Sequence, residues 1–187
     1  MLLIIALGNP GQQLKHTRHN IGREIAEAFA RSADAADFRL EKKWNAQVTE
    51  TRINKEKMAI LLPETMMNKS GSAVAAATRF FKIKQKNIFV IHDDADIALG
   101  SAKLSFAKNS AGHKGVESVI RALKTKEFWR LRIGIAGKRN IPAERLVLKK
   151  FTPDEQRIVK KITKKTMEAL SAIATSGPEK AMTEYNR

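Results

Sequence analysis

No cysteine occurs among the 187 residues, which excludes disulfides, thiolate nucleophiles and any cysteine-ligated metal centre. Aromatic residues make up only 6%, so stacking strips are absent and single-strand binding through base stacking is disfavoured. No segment approaches the roughly 20 apolar residues of a membrane span. The apolar run Leu2 to Leu7 has no basic region before it and no small-residue cleavage site after it, and so reads as a strand rather than a signal peptide. A cytoplasmic, membrane-free protein is expected. Acidic side chains are also in deficit: 19 Asp and Glu against 35 Lys and Arg, a net charge of +16. An excess of that size points to a polyanionic partner, most often nucleic acid. With so few aromatics, phosphates are the expected contact.

What is present is ordinary globular material, 43% hydrophobic and 29% charged, in a length suited to one domain over 1–187. Leu2 to Leu7 reads as a strand buried on both faces. Ile21, Ile25, Ala28 and Phe29 recur at helical spacing behind Asn20, a candidate cap. Ala46 to Ile53 and Lys57 to Leu62 read as a hairpin across Asn54-Lys55-Glu56, with Pro63 ending its second strand. Asn68 or Ser70 is placed to cap a helix carrying Val74, Ala77 and Phe81. Ile88 to Ile91 reads as a short buried strand followed by an acidic loop, and Ala102 to Ala107 as another strand. Val116, Val119, Ile120 and Leu123 mark a helix, and Leu131 to Ala136 a strand. A long helix from Pro153 to about Thr175 buries Ile158, Ile162, Leu170 and Ile173 and turns Arg157, Lys160, Lys161, Lys164 and Lys165 to solvent; a short helix follows Gly177-Pro178. The expected fold is a single α/β domain with a twisted mixed, largely parallel sheet flanked by helices.

Chemistry concentrates at strand ends, where ligands bind in open α/β sheets. Asn9 and His19 lie on one loop after the first strand; Met66-Met67-Asn68 and His92-Asp93-Asp94 recur at similar positions. A carboxylate on the Nδ1 of His19 would leave Nε2 free to take a proton from water, and in a parallel sheet Asp93 is the candidate. Asp93, Asp94 and Asp96 also resemble a divalent-cation loop, but no second acidic cluster completes a shell, and no metal or cofactor is expected. Asn9 and Asn68 supply carboxamides able to orient a water and a carbonyl without added charge. Gly8-Asn9-Pro10-Gly11 is a poor phosphate loop, because it lacks the GxGxxG spacing and Pro10 removes a donor. No G-x-S-x-G elbow occurs, so an activated water is favoured over a serine nucleophile. The loop from Lys108 through His113 and Lys114 to Gly115 leads into a helix start, where a phosphate or a carbonyl oxygen can dock; a plain connection is the competing reading. Lys103, Lys108, Lys114 and Arg132 form one candidate basic rim.

The blocks LGNPG…TRHNIG (7–22), PETMMNKSG (63–71), FVIHDDADIALG (89–100), AGHKGVESVI (111–120), FWRLRIGIA (128–136) and VLKKFTPDE (147–155) resemble, in this order, the bacterial peptidyl-tRNA hydrolases. The resemblance covers most of the chain. It implies a monomeric hydrolase that cleaves the ester between a prematurely released peptide and its tRNA. It further implies that His19 is the base and Asp93 its supporting carboxylate. Asn9 would distinguish blocked from free aminoacyl-tRNA, Asn68 would orient substrate and water, and Met67 would shape the peptide channel. Lys103 and Arg132 would meet the acceptor arm, with His113 and Lys114 among the substrate contacts near the CCA end.

Three positions depart from the family pattern. Leu14 stands where tyrosine is usual and Met66 where phenylalanine is frequent, which removes two aromatic surfaces near the terminal adenosine or peptide but keeps apolar cover. Lys114 replaces a common asparagine, losing an acceptor and adding charge. Retained hydrolysis with altered substrate affinity is the expectation. A non-catalytic RNA-binding relative and a hydrolase of another ester or amide, with the basic surface incidental, remain the alternatives at this point.

Overall fold

The computed structural model describes residues 1–137 and 141–186. Seven strands form one sheet: β1 (Leu2–Ala6), β2 (Arg39–Glu41), β3 (Ala46–Ile53), β4 (Glu56–Pro63), β5 (Ile88–Ala98), β6 (Ala102–Phe106) and β7 (Trp129–Ala136), in the order β2-β3-β4-β1-β5-β7-β6. β4, β1, β5 and β7 run parallel, and antiparallel pairs flank them, β3 on β4 and β6 on β7. The sheet is therefore mixed around a parallel core. Asn54 adopts φ 52° in the tight turn whose flanking residues Ile53 and Glu56 pair, a left-handed conformation that asparagine tolerates better than most side chains.

Alternation along β1 sorts two helical layers. Ile4 and Ala6 face α1 (Ile21–Ser32), α5 (Pro153–Ser176) and α6 (Pro178–Tyr185), while Leu3, Ile5 and Leu7 face α2 (Ser70–Phe80) and α3 (Lys114–Leu123). Both faces of a parallel strand are thus covered, which is why β1 is apolar throughout. A four-residue helix, α4 (Ala143–Leu146), precedes α5. α5 begins with a capping box in which the Thr152 hydroxyl accepts from the Glu155 amide and the Glu155 carboxylate from the Thr152 amide, followed by Pro153 at a position whose missing N–H costs nothing. Among the described residues no helix is long and apolar enough to cross a membrane.

Four expectations need correction. The acidic run is not a loop: β5 continues through His92, Asp93 and Asp94, which pair with Arg132, Ile133 and Gly134 of β7. The strand tolerates these polar residues because their side chains find partners beyond the apolar layers. Asn20 caps nothing, since its carboxamide is committed to Asn9. Neither Asn68 nor Ser70 caps α2; the Ser70 hydroxyl donates to the Met67 carbonyl, and Phe81 falls one residue past the helix. Ile158 is 40% exposed against Gly100, as the buried residues of α5 begin only at Ile162.

Candidate active site

The connections after β1 and β5 leave toward opposite edges of the sheet, opening a crevice between their ends where α/β proteins place ligands. His19 reaches it from a single 3-10 turn over Arg18–Asn20. That turn is fixed by backbone bonds to the segment before α5, Arg18 N–H to the Lys149 carbonyl and His19 N–H to the Val147 carbonyl, both 2.9 Å. Arg18 is the anchor. It is 5% exposed, its guanidinium pairs with Glu155 at 2.6 Å and the Ile135 carbonyl at 3.2 Å, and it lies 4.6 Å over the Phe151 ring. Burial would raise the Glu155 carboxyl, but the Arg18 bond and the Thr152 amide hold it below its ordinary value. Gly22, in the next turn, sits so close to β5 that an added Cβ would lie 2.6 Å from the Ile91 carbonyl oxygen. Only glycine lets α1 begin there, and this approach sets His19 against β5.

Asp93 gathers two imidazoles at one oxygen. Its Oδ1 is 2.8 Å from His19 Nδ1 and 2.9 Å from His113 Nε2. His113 caps α3, its Nδ1 accepting from the backbone amides of Gly115 and Val116 at 3.1 and 3.2 Å. A ring nitrogen that accepts two N–H groups carries no proton, so His113 holds its proton on Nε2 and donates it to Asp93. His19 donates from Nδ1, and its free nitrogen is Nε2. Burial alone would raise the Asp93 carboxyl, yet the proximity and hydrogen bonds of His113 and His19 outweigh it and leave the group well below the usual carboxylate range. His92 packs edge-on against His113, ring centres 4.7 Å apart. Burial, then proximity to His113, pushes it well below its ordinary value, so it stays neutral.

A cleft of about 350 Å³ opens in front of His19 and His113, lined further by Asp94, Lys114, Glu144 and Leu148. A second, polar hollow of about 260 Å³ is lined by Asn9, Asn20, Arg23 and Glu64 and shares no lining residue with the first. Asn9 is 6% exposed and held at three atoms. Its N–H donates to Asn20 Oδ1, its carbonyl accepts from Asn20 Nδ2, and its Oδ1 accepts the Met67 N–H, at 2.8, 2.9 and 2.8 Å. The free atom of the carboxamide, among the described residues, is Nδ2, a donor. Met67 is buried, whereas Met66 (52% exposed) and Asn68 stand at the surface beside it. Leu14 is half-buried on the turn over Gln12–Leu14. Leu14, Met66, Asn68 and Lys103 line neither hollow. Lys114 approaches Glu144 to 3.9 Å.

The basic residues form a ladder on the β6–β7 pair. Lys103 lies opposite Arg132 and Ser105 opposite Arg130. Arg132 bonds Asp94 through Nε at 2.7 Å. Arg130 was missed in the sequence, although the R-L-R alternation puts it on the same face as Arg132. It is 2% exposed, and its Nε and the Ser105 hydroxyl are buried with no partner among the described residues. Burial and the neighbouring Arg132 lower its pKa. The Asp94 carboxylate nearby offsets part of that effect. Arg18 and Glu155 were missed as site supports too, though Thr152-Pro153-Asp154-Glu155 carries a capping signature.

The donor atoms of His19, Asp93 and His113 lie within 4.8 Å of one another. The chemistry of the set opposes a metal ion there: a cation on His113 Nε2 would force the proton onto Nδ1, against two backbone N–H groups.

Fold and site together define an α/β enzyme with an imidazole–carboxylate centre beside a cationic ladder. Residues 3–187 match the family model for peptidyl-tRNA hydrolase. Curated proteins of that name from Desulfitobacterium hafniense (strain Y51) and Clostridium botulinum (strain Hall) are 38% and 36% identical, covering all of this chain and 100% and 97% of their own lengths. The crystal structure of peptidyl-tRNA hydrolase from Acinetobacter baumannii superposes with a TM-score of 0.92 at 28% identity, covering all of this chain and 94% of the other. The chain belongs to the peptidyl-tRNA hydrolase family, a family of hydrolases whose substrate is peptidyl-tRNA.

Proposed function

We propose that the whole chain acts as one domain, a monomer working in the cytoplasm, and hydrolyses the ester joining a peptide to the terminal ribose of tRNA through a water activated by His19. The observation that carries this reading is the His19 Nδ1–Asp93 Oδ1 bond of 2.8 Å, which leaves Nε2 as the basic nitrogen at the cleft. Nε2 takes a proton from water while Asp93 stabilises the imidazolium. The hydroxide adds to the ester carbonyl, and Asn9 Nδ2 donates to the oxyanion. Asn68, exposed on the turn beside Met67, orients the water and substrate. The intermediate collapses, and the departing ribose oxygen receives the proton from His19.

The β6–β7 ladder supports contact with the acceptor arm. Lys103, Arg132 and Lys114 supply charge along the path to the CCA end, and the buried Arg130 adds to the positive field behind them.

The deciding experiment is release of labelled peptide from N-acetyl-aminoacyl-tRNA by wild type and His19→Ala. A general base contributes about 10²–10⁴-fold, so turnover should fall by at least ~100-fold while tRNA still binds. An unchanged rate would remove His19 from the mechanism.

A further inference from the structure

We propose that His113 is a positioning residue for the hydrolysis: locked by the α3 N-terminus into its Nε2–H form, it shares Asp93 Oδ1 with His19 and fixes that carboxylate's orientation and hydrogen-bonding strength. The inference rests on His19 being the base. Three observations carry it. The two N–H groups converge on one oxygen at 2.8 and 2.9 Å. The His113 side chain is 8% exposed and its ring meets both His19 and His92, at 5.0 and 4.7 Å between centres. Its other nitrogen accepts from Gly115 and Val116, so the ring cannot flip without uncapping the helix. His113 thus ties the loop before α3 to the base on the loop after β1, with the β5 carboxylate between them.

The consequence for His19 has a definite sign. A second donor on Oδ1 draws charge from the oxygen that His19 uses, so the His19 imidazolium is held less tightly. Taking that donor away strengthens the His19–Asp93 pair and makes His19 protonate at higher pH. The other ionisable groups around the pair are already committed. From β5, His92 is neutral and Asp94 is bound to Arg132 of β7. Arg130 of β7 also disfavours a charge on His92. Arg18 is paired with Glu155 of α5, and Lys114 of α3 stands against Glu144 of α4. Asp96 is the remaining carboxylate lining the cleft, and it is the same in every variant compared.

Two substitutions separate the functions of the ring. His113→Asn keeps an oxygen where Nδ1 was, and asparagine is a strong helix cap, but nothing reaches Asp93. His113→Gln extends an amide N–H to the place of Nε2 and loses the cap. The measurements are the pH profile of kcat on N-acetyl-aminoacyl-tRNA, the His19 ring titration by NMR, and thermal stability. The expected result is an acidic limb and a His19 titration moved up by about one pH unit in His113→Asn, with near-native stability. His113→Gln should keep the wild-type limb and lose stability. A wild-type limb in His113→Asn, or equal shifts in both variants, would overturn the positioning assignment. His19→Ala, run alongside, distinguishes the failures: full activity there refutes the base itself, whereas loss there with an unshifted His113→Asn refutes only the role of His113.

Discussion

Replacing Asp93 with asparagine removes one charge and almost no volume, and the structure fixes which end of the amide faces the histidines. Two N–H donors point at the Oδ1 position, from His19 and His113. The amide oxygen must therefore occupy it, because an NH₂ there would confront both donors. His19 consequently keeps its proton on Nδ1 and its Nε2 stays basic. What Asp93→Asn loses is the attraction between the carboxylate and the imidazolium formed during proton transfer. At about 4 Å between charge centres and an effective dielectric constant near 20, that attraction is about 4 kcal/mol, close to three powers of ten in rate. Single-turnover release of labelled N-acetyl amino acid should therefore slow about a thousandfold, with tRNA affinity little changed and the acidic limb displaced downward. A loss smaller than tenfold, or one confined to KM, would refute the role given to this carboxylate.

Gly22→Ala would place a methyl group 2.6 Å from the Ile91 carbonyl oxygen, so α1 must retreat; a loss of about 1–3 kcal/mol in urea unfolding and a lower kcat with intact tRNA binding are expected. Arg132→Ala and Lys103→Ala should each reduce the salt slope of tRNA binding by about one phosphate's worth, measured as log Kd against log salt, and an unchanged slope for both would take the ladder out of the interface. Glu155 and Asp93 are held below their ordinary values in the folded chain, so the stability they confer is present above the unfolded carboxyl values near 4 and lost as the pH falls through the lower folded ones. Urea midpoints should accordingly be flat around neutrality and drop below about pH 4, the drop being smaller in Glu155→Gln. A midpoint that stays constant down to pH 2 would contradict both pairings.

Period and punctuation made much of the fold legible. The β3–β4 hairpin, the buried β1 and the start of α5 at Pro153 follow from alternation, a turn-forming Asn54 and a proline suited to the first helical position, all of which act within a few residues. The misread places are those where a distant partner decides. Asp93 and Asp94 look like turn residues locally, yet β5 runs through them because Arg132, His19 and His113 satisfy their carboxylates. Asn20 looks like a cap, but Asn9, eleven residues away, offers it two bonds instead of one.

The same reasoning explains which part of the site was readable. A parallel sheet is enough to expect His19 near Asp93, and β1 and β5 prove adjacent, although Asp93 lies within β5 and not on a loop after it. His113 was read only as part of a substrate loop, since nothing local marks a histidine as both helix cap and donor to a carboxylate. Its presence accounts for a further choice in this basic chain. Among the described residues no lysine or arginine pairs with Asp93, although Asp94 next to it is paired with Arg132. A guanidinium on Asp93 would cancel the charge that an imidazolium at His19 requires. Two N–H groups, from His19 and His113, hold the carboxylate in place and leave its charge intact, which is the condition that the proposed base at His19 requires.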